Sequence, residues 1–199
     1  MRKDWIKAEE FLKKDGVVVL PTDTLYGIIG RALSKKIVKK IYKIKGRTEN
    51  KPFIVLINSY NDLKIFGIKI DKNEAKFLEK IWPGKVSIIF ACNFDKWSYL
   101  HRGTHSIAFR MVSQRNKNLF SLIEKVGPLV APSANPEGKK PAENISEAKK
   151  YFKKEELNFN KIDLYINGGK RKVKPSTLIK YKNNTWVILR QGKVKIPQI

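Results

Sequence analysis

Two unbroken apolar runs, residues 17–20 (VVVL) and 53–57 (FIVLI), constrain the fold more than any other feature of the chain. Runs of this length with no polar alternation read as strands buried beneath covering elements. Between them Ile37, Val38, Ile41 and Ile44 recur at helical spacing, with Ser34 placed as an opening cap and Gly46 as the close. The alternation continues downstream. A helix is expected over NEAKFLEKIW, ended by Pro83 and Gly84, then strands over VSIIFA and SIAFRMV. A further helix over NKNLFSLIEKVG leads to a short strand in PLVAPSAN. SEAKKYF reads as helical and DLYING as extended. Upstream, Asp4 is placed to cap a first helix that sets Trp5, Ala8, Phe11 and Leu12 near one face and stops at Gly16. The chain finishes on STLIKYK and TWVILRQG, which flank Asn183 and Asn184 as a two-residue hairpin turn. Strands alternating with helices, yet ending on a hairpin, imply an α/β fold. Its sheet is expected to be twisted, mixed parallel and antiparallel, with helices packed on it. There is no internal repeat and no dividing linker, so residues 1–199 are expected to form one domain. The polar segment 136–144, rich in Lys, Gly and Pro, reads as a mobile loop.

Charge narrows the ligands. The chain carries a formal net charge of +24, which favours polyanionic partners such as RNA. It also fits a lysine-rich compositional bias, and it locates no site. Cys92 is the single cysteine, which excludes an internal disulfide. The amino-terminal stretch MRKDWIKAEEFLKKDG has no apolar signal segment, and no run approaches the ~20 apolar residues of a membrane span. A cytoplasmic protein with no membrane partner is expected.

Several segments turn polar where a strand ends. In PTDTLYG, residues 21–27, two threonines, an aspartate and a tyrosine converge. They suit either a small polar ligand or an Asx-type turn with a structural tyrosine. In KIKGRTENKPF, residues 43–53, Lys45, Arg47 and Lys51 surround a glycine that admits close backbone approach. A guanidinium fork and point charges suit phosphate, although cations also favour a helix carboxyl end. In GPLVAPSANPEG, Ser133 and Asn135 are placed to present donors to a nucleotide, or to form an ordinary polar loop. Arg110 interrupts an apolar strand, and a charge there needs a partner unless it faces outward. Ser176, Thr177 and Arg190 come together if the terminal hairpin forms. No G-x-x-x-x-G-K-[ST] loop and no G-x-G-x-x-G turn is present, and no Ser-His-Asp set stands out. His101 and His105 have Gly103 between them, which argues against a helical zinc pair.

Taken in order, PTDTLYG, KGRTENKPF, WPGKVSIIF, SIAFRMV, GPLVAPSAN, STLIK and LRQG resemble the motifs of the YrdC/Sua5 family. They span residue 21 to about residue 192. The resemblance implies a YrdC-like (dsRNA-binding-like) fold of the short form, without the extra Sua5 domain. It implies threonylcarbamoyl-AMP synthesis from L-threonine, bicarbonate and ATP, with Mg2+ arriving on ATP. It further implies hand-over to t6A transferase proteins that modify tRNA; direct tRNA or dsRNA binding is an added partner that the +24 charge favours. An RNA-binding module, or a paralogue with another carbamoyl substrate, is the alternative. By the same resemblance Lys45 and Arg47 are catalytic. Arg47, Lys51, Ser106, Asn135 and Arg190 serve ATP, while Thr24, Arg110, Ser133 and Ser176 serve threonine. The chain departs from the family pattern at Thr48, Leu56, Val112, at Pro141-Ala142-Glu143 and at Lys180. Of these, Leu56 and Glu143 bear on the contacts to threonine and ATP.

Overall fold

The computed structural model describes residues 3–48, 50–152, 161–171, 174–182 and 185–196. Helix α1 spans Lys3–Lys13 and buries Trp5, Ala8 and Leu12. Asp4 lies in its first turn rather than capping it, and Phe11 stays exposed, just off the buried stripe. The helix gives way at Asp15, which adopts φ 56°, and at Gly16, where a Cβ would stand 2.7 Å from the Phe11 carbonyl oxygen.

Strand β1 (Val18–Pro21) turns straight back into β2 (Tyr26–Arg31) as an antiparallel pair. The sequence reading stopped the first strand at Pro21 and placed no strand after the turn. Helix α2 follows over Lys35–Lys45, with the Ser34 side chain accepting from the Ile37 amide at 3.4 Å and Gly46 closing it at φ 55°. Then come β3 (Ile54–Ile57), α3 (Asn61–Ile65), α4 (Lys72–Ile81) and β4 (Val86–Ala91). A short 3-10 turn leads into α5 (Ser98–His101), followed by β5 (Ser106–Met111) and α6 (Lys117–Val126). The remainder is β6 (Leu129–Val130), α7 (Ile145–Phe152), β7 (Leu164–Tyr165), β8 (Thr177–Lys182) and β9 (Thr185–Arg190). The expected Asn183-Asn184 turn lies outside the described residues, while β8 and β9 pair antiparallel as a terminal hairpin requires.

These strands form one sheet, ordered β7-β1-β2-β6-β3-β5-β4-β8-β9. It is mixed: β1/β7, β3/β5 and β4/β8 run parallel, the other pairs antiparallel. The apolar runs are explained by coverage on both faces. Val17, Val19, Val55 and Ile57 enter one core with residues of α2, α4 and α5. Val18, Leu20 and Leu56 enter the opposite core with α1 and α6. Because successive strand side chains alternate, a strand buried twice loses its polar period.

The second face is covered only in part. Register aligns Ile54 with Ala108 and Leu56 with Arg110, placing all four on the face that α1 and α6 cover. Leu56 lies beneath the helices, whereas Ile54, Ala108 and Arg110 open onto a cleft. The exposed part of that sheet face is the floor of the site.

Candidate functional site

The cleft has a volume of about 1010 Å3. Alternation puts Ser106, Ala108 and Arg110 of β5 on its floor and sends Ile107, Phe109 and Met111 into the core behind. Ile89 of β4 and Leu178 of β8 extend the floor. Its walls come from the β1–β2 turn, the segment between α2 and β3, Thr104 before β5, the segment after β6, the segment before β8, and Arg190 at the end of β9.

The β1–β2 turn is held by its own threonines. The Thr22 hydroxyl donates to the Leu25 carbonyl at 2.7 Å and accepts the Thr24 amide at 3.1 Å. The Thr24 hydroxyl lies 3.2 Å from that of Thr22 and is buried at the cleft wall. Of the two readings of PTDTLYG, the structure bears on the turn with its structural tyrosine. Thr24 faces the cleft, while the Tyr26 hydroxyl is structural, donating to the Gly169 carbonyl and accepting the Gly168 amide, each at 2.8 Å.

Arg110 has a partner that the sequence reading left unassigned. Its guanidinium meets the Asp23 carboxylate at 2.8 Å, with the two side chains 4% and 11% exposed. The buried Nε of Arg110 has no hydrogen-bond partner. Arg190, at the end of β9, donates to the Ser176 carbonyl from Nε and Nη2 at 3.2 and 3.0 Å. Its Nη2 also reaches the Ser176 hydroxyl at 3.2 Å, and that hydroxyl lies 2.8 Å from the Ser87 hydroxyl. Burial, and the Arg110 charge beside it, both push Arg190 below its ordinary pKa. Like charges brought this close favour an anionic ligand.

The segment after β6 is tacked to β2. The Ile28 amide donates to the Pro132 carbonyl at 2.9 Å and the Ala134 amide to the Tyr26 carbonyl at 2.8 Å. Gly27 bridges to Ser133, which lines the cleft. Lys45 secures this loop from beneath. Its buried ammonium donates to the Ser133 carbonyl at 2.5 Å and to the Asn135 carbonyl. Burial pushes its pKa down to about 7, with Arg47 acting in the same direction and Glu137 against. Lys45 does not line the cleft. Neither does Asn135, whose side-chain amide donates to the Pro136 and Lys139 carbonyls at 2.9 and 2.7 Å. Segment 136–144, expected to be mobile, is therefore anchored at several points. The Glu137 amide donates to the Lys45 carbonyl at 2.9 Å, and the Ala142 amide to the Ala134 carbonyl at 3.2 Å.

Arg47 and Lys51 line the cleft as expected. The Arg47 guanidinium stacks over Phe53, 5.4 Å from the ring centre, and its Nε donates to the Lys51 carbonyl at 3.0 Å. Ser106 lines the same space beside Thr104, with their hydroxyls 3.3 Å apart. Of the departures, Leu56 is wholly buried in the core and makes no part of the lining, whereas Pro141 and Glu143 do line it. Sequence reasoning missed Lys140, Arg171 and Lys174, three further cations on the wall. Among the described lining residues, seven are basic (Arg47, Lys51, Arg110, Lys140, Arg171, Lys174 and Arg190) and one, Glu143, is acidic.

An α/β domain with a part-covered sheet face, a basic cleft on it and a tethered Ser-x-Asn loop along one wall defines a domain of the YrdC type. The chain belongs to the Sua5/YciO/YrdC family, whose family model, described as telomere recombination, matches residues 10–192. It is similar to the threonylcarbamoyl-AMP synthase of Pyrococcus abyssi, 28% identical over 194 residues, covering 96% of this chain and 55% of that protein. It is 31% identical over 198 residues to a putative threonylcarbamoyl-AMP synthase of Methanocaldococcus jannaschii, covering 97% and 89%. The crystal structure of P. abyssi Sua5 complexed with L-threonine superposes with a TM-score of 0.82 at 28% identity, covering 94% of this chain and 54% of that one. The chain thus spans about half the length of the P. abyssi relative and most of the M. jannaschii one.

Proposed function

We propose that this protein is an L-threonylcarbamoyladenylate synthase, a nucleotidyltransferase that works in this cleft. One observation carries the reading most: the described lining of the cleft gathers seven cations and one carboxylate, with Asp23 and Glu137 pairing two of those cations, and threonine and serine hydroxyls on its floor and walls. The reaction needs that imbalance. The amine of L-threonine and bicarbonate form a carbamate and release water. A carbamate oxygen then attacks the α-phosphorus of ATP, the bond to the β-phosphate oxygen breaks, and pyrophosphate leaves with both bonding electrons. Two anions must approach, and a third must depart. Fixed cations offset the repulsion and stabilise the charge that develops on the leaving oxygen. Holding the partners in line contributes as well, by roughly 7–11 kcal/mol in well-oriented reactions.

In this reading Thr24, Arg110, Ser133 and Ser176 receive threonine, with Arg110 taking its carboxylate. Arg47, Lys51, Ser106 and Arg190 face the nucleotide. Lys45 and Asn135 act one layer back: Lys45 holds the Ser133 loop and Asn135 folds the segment that follows. Among the described residues, no group of three or more His, Cys, Asp or Glu could hold a metal ion. Mg2+ belongs here on the phosphates of ATP, as part of the substrate.

The product would pass to t6A transferase proteins that carry the threonylcarbamoyl group to tRNA. Lys35, Lys36, Lys39 and Lys43 stand exposed on α2 and favour electrostatic contact with that RNA. No helix among the described residues is long and apolar enough to cross a membrane. Radiolabelled ATP with L-threonine and bicarbonate tests the reading. Labelled threonylcarbamoyl-AMP should accumulate only when all three are present, and label that remains in ATP would defeat it.

A further inference from the structure

Lys51 lines the cleft, yet its ammonium is already engaged. It meets Glu137 Oε1 at 2.5 Å. The other carboxylate oxygen of Glu137 accepts the Thr48 amide at 2.6 Å and the Thr48 hydroxyl at 2.8 Å. A backbone N–H, a hydroxyl and an ammonium converging on one anionic group is the donor set that binds phosphate oxygens. These donors hold the Glu137 carboxyl down to about 2, the Lys51 contact first and the two Thr48 contacts next. Glu137 also donates its own amide to the Lys45 carbonyl, so its backbone is fixed where its side chain grips. The three donors come from the segment between α2 and β3, whereas the carboxylate comes from the segment after β6. The contact therefore joins two walls of the cleft.

We propose that Glu137 is a specificity-determining residue: its carboxylate occupies the anion site formed by Lys51 and Thr48, and only a ligand bearing several phosphates displaces it. The inference rests on the nucleotide reading of the cleft. When a polyphosphate arrives, Lys51 changes partner from Glu137 to the ligand. The freed carboxylate is then repelled by the phosphates, and segment 137–140 loosens at that wall, with Lys140 still facing the cleft. A single phosphate, at about two charges, competes only weakly with a carboxylate already held in place by three donors. Four charges on a triphosphate suffice, so the contact discriminates ATP from AMP and free phosphate.

Calorimetric titration of the full chain tests this, using ATP, AMP and inorganic tripolyphosphate as separate probes. Glu137→Gln should bind AMP about three- to tenfold tighter than wild type, because an exposed, hydrogen-bonded carboxylate competes to about that extent. It should also narrow the preference for ATP over AMP. In a Lys51→Met background the same change should have a smaller effect, because only the two Thr48 donors still hold the carboxylate. Trypsin should cut faster after Lys139 in Glu137→Gln than in wild type. Equal or weaker AMP binding by Glu137→Gln would overturn the proposal. If tripolyphosphate binds tighter to Glu137→Gln while ATP binds no variant, the anion site stands and the nucleotide reading falls.

Discussion

Replacing Lys45 with methionine separates two roles for a residue that the family resemblance marks as catalytic. In the structure its amine lies against the Ser133 and Asn135 carbonyls and away from the cleft lining. The Ser133 carbonyl keeps another donor, the Asn135 amide at 2.9 Å. The Asn135 carbonyl loses the donor that the structure gives it. A buried carbonyl left unsatisfied costs about 1–3 kcal/mol, and the weakened second bond adds roughly 1 kcal/mol. Lys45→Met should therefore destabilise the fold by about 2–4 kcal/mol, a fall in Tm of roughly 4–16 °C for a chain of this size. Ser133 would shift with its loop, raising KM for threonine; a misplacement of about 1 Å costs up to ~100-fold.

The pH dependence supplies a second readout. The folded Lys45 pKa lies below its unfolded value of 10.5, at about 7. Between these values the unfolded chain binds more protons, so this residue makes stability rise with pH across that window. Urea unfolding of wild type and Lys45→Met at pH 7 and pH 10 should show the gap between them widening at the higher pH. An unchanged Tm with a collapse of kcat alone would refute the reasoning, since it would mean that the amine meets the reactants.

Other perturbations probe other parts of the account. Asp23→Asn leaves the buried Arg110 charge uncompensated while keeping one hydrogen bond, so about 2–4 kcal/mol of stability should disappear in urea titration, with a higher KM for threonine. Arg47→Ala should lower kcat/KM by the equivalent of ~2–4 kcal/mol, and Lys3→Ala should leave it unchanged; activity within threefold of wild type in Arg47→Ala would remove the phosphate clamp. Serine should be a poor but detectable substrate, about 1–3 kcal/mol behind threonine, and valine should be rejected by up to ~10^4-fold; equal turnover of valine would contradict a pocket that hydrogen-bonds the hydroxyl. Gly30→Ala should destabilise the fold, because its Cβ would fall 2.3 Å from Ile37 Cγ2, and circular dichroism melts measure the loss.

What the sequence revealed follows from which side chains carry a period. Strands β1 and β3 were legible because coverage on both faces leaves an unbroken apolar run. Strand β2 was not, because Gly27 and Gly30 interrupt its pattern. Both serve packing that no local signal announces: Gly30 lies under α2, and Gly27 lies against Thr22 and the Pro132 carbonyl. Ser133, Arg47 and Lys51 were found through motif order, and each lines the cleft. The burial of Lys45 was hidden, since one buried amine looks like any other among the chain's 42 lysines and arginines. Asp23 sat inside a recognised motif, yet its partner is 87 positions away. Glu137 and Thr48 meet across 89 positions, and Arg171 and Lys174 reach the cleft from the segment before β8. Long-range pairing of this kind leaves no spacing to read.

The most direct test is isotope tracing through the first bond formed. The protein is mixed with ATP, Mg2+, L-threonine and carbon-13 bicarbonate, quenched within seconds, and the nucleotides are weighed by mass spectrometry. The account predicts threonylcarbamoyl-AMP that carries the bicarbonate carbon, with one pyrophosphate released per adenylate. Pyrophosphate released without threonine or bicarbonate, or no adenylate beside an active control synthase, would contradict it.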